Sequence, residues 1–121
     1  LSRKQGEIYM SASATAQAWV EELERIETAK GATASQARAR ISRRIGITPA
    51  AVEYVARGRA KRLTVDLFER LQSAVINALQ TEIARATHEI EIARRCGLDP
   101  RGAEMDALKA QVARAQKFLG E

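Results

Sequence analysis

Between Thr64 and Cys96 the chain contains neither glycine nor proline, so nothing in that stretch can stop a helix. Phe68, Leu71 or Gln72, Val75, Leu79, Ile83, Ala86 and Ile90 follow one another in steps of three and four, which places them on one face. Thr64 offers a cap and Asp66 a negative charge in the first turn. A helix of about 32 residues at ~1.5 Å rise per residue is a rod of roughly 48 Å. Such a rod must bury its apolar stripe against a partner. Aromatic residues make up only 4% of the chain and alanine, arginine, glutamate and leucine dominate, so the composition favours helices over strands. The expected fold is all-α.

Cys96-Gly97-Leu98-Asp99-Pro100 predicts a helix stop followed at once by a helix start, with Asp99 as cap and Pro100 at the first position. Met105, Leu108, Val112, Ala115 and Leu119 then form a short coiled-coil seam. The last helix is expected to fold back on the long one as an antiparallel hairpin. Residues 63–121 are assigned to this hairpin, and Phe68, Val75, Leu79, Ile83, Ile90, Met105, Leu108, Val112 and Leu119 to a homodimer interface along it.

At the other end, residues 1–13 are polar and lack periodicity, which predicts a flexible segment, with Met10 a candidate translational start. A first helix is expected from about Ala14, with Ser11, Ser13 or Thr15 as cap, Trp19, Leu23 and Ile26 on its buried stripe, and Gly31 as its stop. Trp19 is expected to anchor that helix in the core. Thr33-Ala34-Ser35-Gln36 has the form of a capping box, in which each side chain takes the other residue's backbone amide. A second helix is therefore predicted from Ala34 to about Arg44, ending at Gly46. Thr48 and Pro49 open a third, with Gly58 as its stop. Residues 14–62 form the predicted head.

Charge is concentrated in this head. From Ser35 to Arg62 there are eight basic residues, Arg38, Arg40, Arg43, Arg44, Arg57, Arg59, Lys61 and Arg62, against the single acid Glu53. The segment thus carries +7 and the rest of the chain −2 of the total +5. Such a separation points to a polyanionic partner.

Within it, Ser42 is small where two helices cross, Gly46 sits in the turn, and Ile41, Ile45, Ile47, Val52 and Val55 fill the apolar positions. Over roughly Gln36 to Arg59 this pattern resembles the helix-turn-helix of the lambda-repressor-like (Xre-like) DNA-binding family. The resemblance implies a scaffold helix from Ala34 to Arg44 and a recognition helix from Pro49 to Arg57 in the major groove. It also implies that Ala50, Glu53, Tyr54 and Arg57 face base edges, with Arg38 beside them. Arg57 is suited to a guanine edge and Glu53 to a cytosine amine. Arg40, Arg43, Arg44, Thr48, Arg59, Lys61 and Arg62 are assigned to phosphates, which position the protein without reading sequence. Where the family often carries Gln or Ser early in the recognition helix, this chain has Pro49, Ala50 and Ala51. Small residues there permit close approach and contact with thymine methyls.

The sequence therefore predicts a transcriptional regulator of bacterial or phage type that binds double-stranded DNA as a homodimer, with recognition helices about 34 Å apart on a roughly palindromic site. The alternative is a helical protein-interaction adaptor or anti-activator with a basic docking face. An RNA-binding role is disfavoured because the few aromatic residues form no stacking platform. No phosphate loop, nucleophile motif or metal-ligand spacing suggests an enzyme, a cofactor, a metal or a small-molecule ligand. Cys96 is expected to be at least half-buried near its turn, and His88 to lie at the surface or in the seam. No apolar run approaches the ~20 residues of a membrane span, and the N-terminus lacks a signal-peptide core, so a cytoplasmic location is expected.

Overall fold

A computed structural model describes residues 2–60, 63–97, 99 and 101–120, with side chains described from residue 12 onward. Among the described residues the fold is all-α, with five helices: α1 Ser2–Ala29, α2 Ala34–Ile45, α3 Pro49–Ala56, α4 Val65–Arg95 and α5 Ala103–Phe118. The local signals account for most of these bounds. Thr33 Oγ1 accepts from Gln36 N at 3.2 Å and Gln36 Oε1 from Thr33 N at 2.9 Å, completing the capping box of α2. Thr48 Oγ1 accepts from Ala51 N at 3.1 Å, and Thr64 Oγ1 from Leu67 N at 3.0 Å, opening α3 and α4.

Two boundaries differ from expectation. α1 begins at Ser2 rather than near Ala14. Residues 2–13 contain no proline, and arginine, lysine, glutamine, glutamate and methionine are all competent helix formers, so propensity extends the helix where apolar periodicity is missing. Ser13, a candidate cap, instead donates its hydroxyl to Ala60 O at 3.3 Å. At the far end α5 starts at Ala103 with Gly102 as its cap residue. Asp99 caps no helix: its Oδ1 accepts from Arg101 N at 2.9 Å and its carbonyl from Gly102 N at 2.9 Å, so it closes a local turn. Leu98 and Pro100 lie outside the described residues.

The chain divides into two compact units, Leu1–Val75 and Ile76–Glu121. The boundary falls inside α4, beyond the expected break at residue 62, because the first turns of α4 belong to the head. In the first unit α1, α2 and α3 each pack on the other two. Ala16, Val20, Leu23 and Ile26 from α1, Ala37, Ile41 and Ile45 from α2, Val52 and Val55 from α3, and Leu71, Ala74 and Val75 from α4 are buried. Trp19 is half-buried at the edge of this stripe, its ring centroid 4.7 Å from that of Phe68. The indole is too large for the central row, which Ala16 and Val20 occupy instead.

In the second unit α5 meets α4 where Gln111 Nε2 donates to the buried Glu82 Oε1 at 3.1 Å. Ala78, Leu79, Ala86, Met105 and Ala115 are buried, while Ile83, Ile90, Leu108, Val112 and Leu119 are half-buried. Four of the expected dimer contacts are thereby revised. Val75, Leu79 and Met105 are at most 2% exposed within one chain and have no surface left for a partner, and Phe68 packs on Trp19. Cys96 is exposed rather than buried, since it follows the last turn of α4, where its N–H donates to Ile92 O at 3.0 Å. His88 is exposed.

Candidate nucleic-acid interface

The turn between α2 and α3 is closed from several directions. Gly46 takes φ +83°, a left-handed conformation that side chains disfavour, and its N–H donates to Ser42 O at 2.8 Å. Ile47 N donates to the same carbonyl at 3.2 Å, and the buried Ser42 hydroxyl donates to Ile47 O. Ser42 is thus more than a small residue at a crossing, because its side chain ties the turn shut. From α4, Arg70 Nη1 donates to Ile45 O at 3.1 Å, capping the C-terminus of α2, while Nη2 pairs with Asp66. From α1, Gln17 Nε2 donates to Ala56 O at 3.0 Å and caps the end of α3. A Cβ on Gly58, at φ +69°, would meet Gln17 Oε1 at 2.9 Å, so glycine there serves both the backbone and this contact. Neither Arg70 nor Gln17 carries a signal in the sequence, since their partners are 25 and 39 residues away.

The arginines fall into two groups. Arg43 and Arg44, in the last turn of α2, and Arg59, after α3, are exposed and form no ion pair among the described residues. Arg38, Arg40 and Arg57 are engaged. Arg40 Nη1 lies 2.9 Å from Glu27 Oε2 on α1, an acid outside the basic segment, so its charge is largely compensated at home. Arg57 Nη2 is 2.6 Å from Glu53 Oε1, and Arg38 Nη1 is 3.6 Å from Glu53 Oε2. Glu53, assigned to a cytosine amine, therefore already holds the two arginines assigned beside it.

Glu24 on α1 adds a second carboxylate to these surroundings. Burial pushes its carboxyl above the ordinary value, opposed by Arg38 and reinforced by Glu21 and Glu53. Its Oε1 is buried with no hydrogen-bond partner among the described residues.

Ala50 is exposed and Tyr54 is 50% exposed on the outer side of α3. With Ala51, Val55, Ala60, Leu63 and Leu67 they line an open apolar groove of about 510 Å³. Thr48 is exposed, and its hydroxyl retains a proton to donate while capping α3. Lys61 and Arg62, the remaining phosphate candidates, lie outside the described residues. No helix among the described residues is long and apolar enough to cross a membrane. Comparison with family models, with curated proteins and with solved structures returned no match to this chain.

Proposed function

We propose that the head is a duplex-DNA reader of helix-turn-helix type, with α2 as scaffold and α3 as the helix that enters the major groove. The observation that carries this reading is a set of exposed arginines with no ion pair among the described residues, Arg43 and Arg44 beside a turn closed by Ser42, Arg70 and Thr48, and Arg59 just beyond the end of α3. Unpaired guanidiniums on a rigid corner suit phosphate oxygens, and the small Ala50 and the exposed Tyr54 suit the apolar edge of the groove. Arg57 and Glu53 act on bases as a pair. Binding as a homodimer at cellular DNA is part of the proposal, resting on the half-buried Ile83, Ile90, Leu108, Val112 and Leu119.

Fluorescence anisotropy with a random-sequence duplex across a salt series tests this. Three phosphate contacts per head give a slope of log affinity on log salt of about −2.7. A flat response would remove the DNA reading. The apolar groove beside α3 favours a second reading, an adaptor whose basic face docks an acidic protein. Absence of duplex binding at micromolar protein in low salt would select it.

A further inference from the structure

Resting on that reading, we propose that Glu53 is the specificity-determining residue of the head, an internal competitor for phosphate that withholds Arg38 and Arg57 from DNA of the wrong sequence. Its two carboxylate oxygens are divided between the two guanidiniums, Oε1 at 2.6 Å from Arg57 and Oε2 at 3.6 Å from Arg38. The three groups come from two helices, so one carboxylate fixes the start of α2 against the end of α3. Arg38 also interacts with Glu24 on α1, so the two arginines sit among carboxylates, whereas Arg43, Arg44 and Arg59 are exposed and form no ion pair among the described residues.

This division gives the two groups different responses to DNA. The free arginines gain from any phosphate. Arg38 and Arg57 gain little, because trading a carboxylate for a phosphate exchanges one anion for another and leaves Glu53 unpaired beside a polyanion. A matching base step removes that loss. A guanine edge accepts from Arg57 and a cytosine amine donates to Glu53, so the pair meets the bases without separating. Glu53 is half-buried with its side chain 34% exposed, within reach of a ligand and outside the apolar core.

Removing the carboxylate should therefore raise affinity for random DNA. The experiment measures wild type and Glu53→Gln on a random-sequence duplex over a salt series, with circular dichroism to check helical content. Half-exposed pairs are each worth a factor of up to about five, so the variant should bind about three- to tenfold tighter. Its salt slope should steepen by about 0.9 to 1.8 as one or two further phosphate contacts form. In an Arg38→Gln/Arg57→Gln background the same change should give no gain. Should Glu53→Gln lose helical signal, Glu53→Ala, which keeps a helix-favouring residue, takes its place.

Equal affinity and slope in wild type and variant, with wild type binding DNA in a salt-dependent way, would overturn the role of Glu53 and leave the DNA reading intact. So would a gain that persists without the two arginines, since the lost negative charge would then act alone. Failure of every form to bind duplex DNA would overturn both.

Discussion

The two places where this chain leaves one helix for another are built differently. Between α2 and α3 only Gly46, Ile47 and the cap Thr48 intervene, and the local bonds of Ser42 on Ile47 O and Thr48 on Ala51 N are joined by one from another helix, Arg70 on Ile45 O. Between α4 and α5 the bonds are local. Asp99 accepts from Arg101 and Gly102, and α5 starts without a side-chain cap. A turn held in part by a distant group keeps its full set of bonds only while the whole unit is folded, whereas a turn bonded locally does not depend on another helix. The proposed DNA-reading surface stands on the first kind.

The largest test of this contrast is apolar. Ile45→Ala removes a side chain that is 2% exposed at the end of α2 and should destabilise the head by about 2 to 5 kcal/mol. Ile92→Ala, near the end of α4 and 46% exposed, should change stability by less than about 0.5 kcal/mol. Denaturant midpoints of the two variants decide it, and equal losses would erase the distinction. Next come the glycines. Both Gly46 and Gly97 have positive φ, so alanine at either position costs about 1 to 2 kcal/mol in backbone strain. At Gly46 a Cβ also stands 3.2 Å from Arg70 Nη1, while at Gly97 it meets nothing within 4 Å. Gly46→Ala should therefore lower the thermal midpoint further and weaken duplex binding, with Gly97→Ala leaving binding unchanged.

A smaller effect separates the caps. Thr48→Ala should lose about 1 kcal/mol, the typical contribution of an N-cap hydroxyl, and Asp99→Ala less, because Asp99 caps a turn and not a helix. The smallest effect concerns Glu24. Its carboxyl is raised by burial, so the folded state holds its proton more tightly than the unfolded chain, and stability falls as pH rises through the interval between the two values. Glu24→Gln should be more stable than wild type at neutral pH, and the difference should vanish below the ordinary value of 4.5. Urea midpoints at neutral and acid pH measure this, and a difference that grows on acidification would contradict the burial argument.

Sequence was most informative where partners lie within a turn of each other. The Thr33–Gln36 box, the caps at Thr48 and Thr64, and the left-handed Gly46 and Gly97 all depend on neighbours a few positions away, and each is found where it is expected. The same local logic misplaced the start of α5, because Asp before Pro also suits a turn, which is what Asp99 forms. It also overcounted the cationic surface. Reading +7 within one segment ignored Glu27, which reaches Arg40 from α1, and treated Glu53 as free when it serves Arg38 and Arg57. The candidate site was legible as a list of residues but not as a set of occupied and free charges, since occupancy depends on which helices fold side by side.

The hydrogen bond from Gln17 to Ala56 O has a bearing on how the proposed recognition surface moves in time. α3 is eight residues long, well under the length at which a helix persists alone in water. It is helical because α1 and α2 hold it, with Gln17 closing its last turn and Ser13 reaching Ala60 just beyond. Its amides should then exchange with deuterium only when the head opens as a whole, at the rate shown by Ile41 and Ile45, with no separate fraying of α3. Any ligand would meet α3 already ordered, and no part of its binding free energy would go into making the helix.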